Sequence, residues 1–364
     1  MLKRIRSIDF LRGLTVFSMI IYHLFIYWVH NKAQNYGPFA EIFHFFGYLA
    51  APFFLIISGI SYHIYIKRKI DEDQSKLKIF FEVLKRAIFI FTISTTFQLL
   101  FGFIFDMKIK FIIYWSVFQI ISFSMVLFYS IQFCKKSLRI LIHSILIVFF
   151  IIFEFIIKAY NIFFLYLLVE GTFEFIPWAS FFLSGLIFGE IFLSFSNEII
   201  NNKMTFLLAI GICNTVFIII WINIFDYYYY VPNFFPFFIM MIGIFCILSF
   251  ISYYLLDIRK YKFYFQESLI RWGRIAFSVY YIHFGVIAIG NIFFPIFLNQ
   301  IYTNGFLLYQ FIIILILFFV ALVIFTKIWQ KYNYILGIEW IMNKFLKKTL
   351  FLQKTQEIKA QSPK

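Results

Sequence analysis

About ten runs of roughly 20 mainly apolar residues follow one another along the chain, near 9–30, 43–66, 87–105, 111–133, 139–157, 175–195, 204–225, 233–256, 275–298 and 306–328. A helix of that length rises about 30 Å, the thickness of bilayer hydrocarbon. Lipid offers no partners to backbone N–H and C=O groups, so such runs must fold as helices that satisfy themselves. Of the 364 residues, 63% are hydrophobic and only 13% charged, against roughly 25% charged in soluble domains. The fold class that follows is all-α: a polytopic integral membrane protein of about ten transmembrane helices.

The net charge of +15 would suggest nucleic acid in a soluble protein. Here the basic residues sit between the apolar runs: Lys3 to Arg6, Lys67 to Lys69 with Lys85 and Arg86, Lys135 to Arg139, Arg259 to Arg274, and the tail from Lys327. A ten-span count puts all of them on one side, so by the positive-inside rule both termini are expected in the cytoplasm. The expected setting is the lipid bilayer of the cell membrane, with no nucleic-acid partner. Residues 1–346 read as a single multipass domain and 347–364 as a basic, disordered cytoplasmic tail. The first apolar run is too long for a cleaved signal and lacks a small-x-small site, so it is expected to stay as the first helix. The apolar stretch 161–175 is short for an added crossing and reads as an external or re-entrant loop.

With 58 Phe and 24 Tyr in the chain, an aromatic at any one place says little about ligand stacking, the Tyr227 to Tyr230 loop included. Cys134, Cys213 and Cys246 lie in apolar runs without CxxC spacing, which argues against disulfides or a zinc site and for small buried hydrophobes. No metal site is expected. No GxGxxG, Walker, HExxH or GxSxG pattern occurs, which leaves the corresponding nucleotide, metalloprotease and serine-hydrolase chemistries without support.

The informative residues are ionisable groups inside the apolar runs. The first run, SIDFLRGLTVFSMIIYHLFIYWVH, carries Asp9, Arg12, His23 and His30. At about 100° per residue, His23 returns to within about 20° of Arg12 and His30 to about 0°, with Asp9 about 60° away. One helix face thus carries all four, Arg12 and His23 about 16 Å apart along the axis. Ionisable groups in hydrocarbon face interiors and cavities, so the face reads as a polar seam at two depths. The second run supplies the small residues Gly47, Ala51, Ser58 and Gly59, suited to close helix packing, and Pro52. The ninth holds RWGRIAFSVYYIHFGVI, with Tyr280 and His283 three apart on one face. Glu154 and Glu190 are further intramembrane candidates without an obvious local partner.

SIDFLRGLTVFSMIIYH resembles the opening of the transmembrane acyltransferases, whose first helix carries an Arg, ten residues and a His, matched by Arg12 and His23. APFFLIISG resembles their second-helix signature. YWSVFQIISFS, IPWASFFLSGLIFGE, WGRIAFSVYYIH and GIEWIMNKF are similar to the heparan-α-glucosaminide N-acetyltransferase catalytic-domain family, and more distantly to the acyltransferase-3 family, whose arginine pair is loosely echoed by Lys85 and Arg86. The resemblance implies an acyltransferase, N- or O-directed, that takes an acetyl group from cytoplasmic acetyl-CoA or another acyl-CoA. The acceptor would be an amine or hydroxyl of a glycan, amino sugar or lipid-linked sugar outside. No permanently bound cofactor is implied. By the same resemblance His23 would be the base or transient acyl carrier, with His30 in reserve; His283 is a further catalytic candidate on its own placement in the ninth run. The resemblance also implies that Arg12, oriented by Asp9, would help hold the CoA end, with Arg86 as a further cofactor-binding candidate. A proton-coupled transporter using the intramembrane His and Glu, or a non-catalytic scaffold, are the alternative readings of the same residues.

Overall fold

The structure is a computed structural model and describes residues 5–29, 38–104, 115–160, 173–193, 207–216, 234–297 and 305–346. The helices are α1 (Arg6–Trp28), α2 (Pro38–Asp71), α3 (Lys76–Ile104), α4 (Val117–Leu127), α5 (Lys136–Tyr160) and α6 (Phe175–Leu193). They continue with α7 (Leu207–Val216), α8 (Phe234–Tyr253, extended as a π-turn to Ile258), α9 (Gln266–Arg274), α10 (Ala276–Phe297), α11 (Leu308–Lys331) and α12 (338–346). Among the described residues eight helices are long and apolar enough to cross a membrane, and the fourth and seventh expected runs are represented by the shorter apolar helices α4 and α7. The chain is a multipass, all-α membrane protein. His30, the Tyr227 to Tyr230 loop and most of the 161–175 stretch lie outside the described residues.

α1 is the central helix. Val16, Ile20, Leu24 and Phe25 are fully buried, and the helix packs on α2, α8, α9, α10 and α11. Its apolar remainder therefore faces neighbouring helices. Lipid-facing surface falls mainly to α3, α5, α10 and α11; on α5 and α11 Leu141, Ile145, Val148 and Ile152, and Ile313, Leu317, Val320 and Ile324, stand exposed at helical spacing. Both ends of α1 are tied. At its start Asp257 accepts from the N–H groups of Arg6 (3.0 Å) and Ser7 (2.9 Å), satisfying donors that a helix leaves orphaned. At its end Phe306 N–H donates to the Trp28 carbonyl at 2.7 Å.

Three expectations are corrected. RWGRIAFSVYYIHFGVI is not one helix: the chain breaks at Ile275, whose ψ of 37° is not helical. This separates the amphipathic α9, anchored by Trp272 Nε1 donating to Thr326 Oγ1 at 3.1 Å, from the apolar α10. Glu154 and Glu190 do have partners. Lys158, four residues on, bridges Glu154 (2.7 Å) and Glu174 (3.1 Å), and burial pushes the Glu174 carboxyl up to about 7 against the pull of that lysine. Glu190 is bonded by Arg139 and has His63 Nε2 at 3.5 Å, while His63 Nδ1 meets Gln132 Oε1 at 2.9 Å. Finally, Cys246 is buried, but Cys213 is exposed and Cys134 intermediate.

Candidate active site

Two polar centres lie along α1. The first is a cleft of about 260 Å³ at the basic end of the bundle, where α1, α2, α3, α4, α9, α10 and α12 converge. Its polar wall holds Arg12, Arg86 and Arg274 with Ser58, Ser61 and Tyr65; its apolar wall holds Phe54, Ile90, Ile121, Met125 and Phe277. Arg12 is fixed from three directions. Nη1 donates to Asp9 Oδ1 at 3.4 Å and to the Gly273 carbonyl at 3.2 Å, and Nη2 to Ser61 Oγ at 2.5 Å. Asp9 is 5% exposed and also has Arg274 Nε at 3.7 Å. Arg86 stacks on the Tyr65 ring, 4.2 Å from its centroid, and Tyr65 is held in turn by donating to Glu82 Oε2 at 2.6 Å.

The reach of Arg12 to Gly273 depends on how closely α9 lies against α1. A Cβ at Gly273 would run into the carbonyl of Asp9, and one at Gly13 into that of Leu269; only hydrogen fits at either place. Gly273→Ala is expected to push α9 off α1 and cost about 1–3 kcal/mol, the usual penalty of overpacking. Thermal unfolding of the purified variant in detergent checks this. A melting temperature equal to the wild type's would show that the contact is not tight.

The second centre is a pair of histidines. His23 Nδ1 lies 2.9 Å from His283 Nε2, with the two ring planes 1° apart. His283 Nδ1 lies 3.2 Å from the Val279 carbonyl. A carbonyl can only accept, so His283 Nδ1 carries the hydrogen and, in the neutral ring, Nε2 accepts. His23 Nδ1 must then donate, which leaves the lone pair of His23 on Nε2. The chain of bonds orients one nitrogen as a base or nucleophile, the arrangement that a third group gives a catalytic histidine.

Rings connect the two centres. Phe118 lies 4.8 Å from Phe277 and 4.5 Å from Tyr280 between centroids, and Tyr280 lies 5.5 Å from His283. His23 and His283 are also backed by Phe284 at 4.6 and 4.4 Å. A contiguous set of packed aromatic rings thus fills the space between the cleft and the histidines.

Of the residues singled out in the sequence, Asp9, Arg12 and Arg86 meet at or behind the cleft, and His23 and His283 meet each other. Sequence reasoning did not find Ser61, Tyr65, Arg274 or Glu339. Ser61 lies three residues beyond the noted Ser58, and Glu339 lies in the quoted GIEWIMNKF, but neither has a spacing that points to an arginine cleft. The Glu339 carboxyl lines the cleft and accepts from the N–H groups of Phe277 (2.7 Å) and Ser278 (3.3 Å) and from the Ser278 hydroxyl. Burial raises its pKa, against those bonds. Among the described residues no group of three or more His, Cys, Asp or Glu is placed to hold a metal ion.

The chain is thus a multipass helical membrane protein whose central helix contributes Arg12 to an arginine cleft and His23 to a histidine pair completed by α10. The model of the heparan-α-glucosaminide N-acetyltransferase catalytic domain matches residues 4–221, more than half the chain. The chain belongs to that family, and so to the membrane acetyltransferases. No curated protein matches it.

Proposed function

We propose that the chain moves an acetyl group from acetyl-CoA, held in the arginine cleft on the cytoplasmic side, to an amine or hydroxyl of a sugar presented on the other side. The observation that carries this reading is the placement of both centres on α1: an anion-binding wall around Arg12, and His23 with its Nε2 lone pair oriented by His283. Guanidinium groups suit phosphates because they offer several donors in a fixed fork. Arg12, Arg86 and Arg274 would take the phosphate-bearing end, and the apolar wall the pantetheine arm.

In the reaction His23 Nε2 attacks the thioester carbon. The C–S bond breaks, and the thiolate of CoA takes a proton from water in the cleft. Attack places positive charge on the imidazole, and His283 Nε2, accepting from His23 Nδ1–H, supports it. The acceptor's nitrogen or oxygen then attacks the acyl carbon, the C–N bond to His23 breaks, and the acceptor's proton passes to the freed Nε2 and on to the hydroxide left when water protonated the thiolate. In direct transfer the same nitrogen would only deprotonate the acceptor. Exchange of label between acetyl-CoA and free CoA without acceptor reports the covalent route and not the direct one.

The test is purified protein in nanodiscs with radiolabelled acetyl-CoA and a panel of amino sugars and lipid-linked sugars. Labelled acceptor supports the reading. Failure to bind CoA, together with no transfer to any acceptor, overturns it, and acceptor movement across liposomes without acetyl-CoA would favour a transporter. Within this reading Arg86→Ala is expected to raise KM for acetyl-CoA about tenfold with little change in kcat, since one charge-assisted contact contributes about 1.5 kcal/mol or more. Initial rates across donor concentrations check it; an unchanged KM would remove Arg86 from the donor site.

A further inference from the structure

We propose that Glu339 is a positioning residue of the transfer reaction, tying the donor cleft to the histidine pair through α10; this rests on the acetyl-CoA reading above. Residue 339 lies far beyond the stretch matched by the family model, which ends at 221.

The contact is reciprocal. α10 begins at Ala276, and its first-turn N–H groups, at Phe277 and Ser278, donate to Glu339 Oε1. The Ser278 hydroxyl donates to the other carboxylate oxygen and accepts from the Ile338 N–H at 2.8 Å, at the start of α12. Two helix N-termini are thus locked head to head, each supplying the other's cap. A helix start leaves N–H groups unpaired and carries partial positive charge, so a buried carboxylate is well placed there.

The same carboxylate lines the arginine cleft. Among the described residues its oxygens bond α10 and make no ion pair with Arg12, Arg86 or Arg274. Arg12 and Arg274 already meet Asp9, and Glu339 adds a second carboxyl to the wall of the same cleft. From Phe277 to His283 is six residues, about 9 Å of rigid helix. A shift at the Glu339 cap is therefore a shift of His283, the ring that orients His23. Glu339 should act on turnover through α10 and on donor affinity through its charge, with separable signatures.

The experiment compares wild type, Glu339→Gln, Glu339→Ala and Ser278→Ala in nanodiscs, measuring KM for acetyl-CoA and kcat per folded molecule, with the folded fraction taken from size exclusion and thermal unfolding. Gln keeps an oxygen that accepts from the N–H groups but drops the charge. Its KM is expected to fall about threefold to fivefold, the range of one partly screened charge, with kcat nearly kept. Ala drops both, and its kcat is expected to fall roughly tenfold to a hundredfold, as misplacement of a catalytic group does, with KM no higher than wild type. Ser278→Ala keeps the charge, so kcat should fall with KM unchanged, which preserves the test should Glu339→Ala not fold. The proposal is overturned if all folded variants match the wild type in both constants, leaving Glu339 a purely structural residue. A wild type that neither binds nor consumes acetyl-CoA overturns the reading beneath it instead.

Discussion

His23→Ala is expected to lower acetyl transfer by roughly 10³-fold or more, the scale on which removal of a positioned base or nucleophile is felt. The protein should still extract, elute and bind CoA as the wild type does, because Arg12 and its partners lie about 16 Å away along α1. Transfer to a sugar acceptor and CoA binding, measured on one preparation, check both halves. His283→Leu should keep part of the activity: Nε2 of His23 is still present, but nothing fixes its tautomer or supports the charged ring. Equal activity of His23→Ala and wild type would end the case for this histidine, and an equally inactive His283→Leu would mean that the pair works as one unit.

The second large effect is expected away from the site. Glu190→Ala leaves the largely buried Arg139 side chain without its carboxylate, and loss of one partner of a buried pair costs about 3–5 kcal/mol. Arg139 Nη1 also donates to the carbonyls of Gln132 (2.6 Å) and Cys134 (3.1 Å), so the turn before α5 should loosen with it. Detergent-resolved thermal unfolding should show a marked drop for Glu190→Ala and for Arg139→Ala. The double variant Glu190→Leu, Arg139→Met should recover most of it, since apolar replacement of a buried ion pair is often neutral. If the single variants melt with the wild type, the pair is open to water and adds little.

The bundle was legible because the bilayer imposes it: a 20-residue apolar run has few options other than a helix. Asp9, Arg12 and His23 stood out for a related reason, as charges and imidazoles in hydrocarbon demand an explanation. Pairings across the bundle were not legible. His23 and His283 are 260 residues apart, and no helical arithmetic joins residues on different helices. The break at Ile275 also went unseen, since WGRIAFSV has neither proline nor a polar cap in the chain itself. Its cap arrives from Glu339, some sixty residues later. The partners of Glu190 were missed for the same reason, whereas Lys158 sat four residues from Glu154 and was open to discovery by i, i+4 spacing.

α1 is held at its start by Asp257, along its first turns by the glycine contacts with α9, and at its end by Phe306. A rod clamped in this way cannot slide, so the interval between Arg12 and His23 works as a ruler about 16 Å long. Under the proposed reaction, a donor is measured against it. An acetyl thioester on a stub such as cysteamine reaches one mark only, whereas the long arm of CoA spans both, and chain length rather than the acyl group alone decides which thioesters are read.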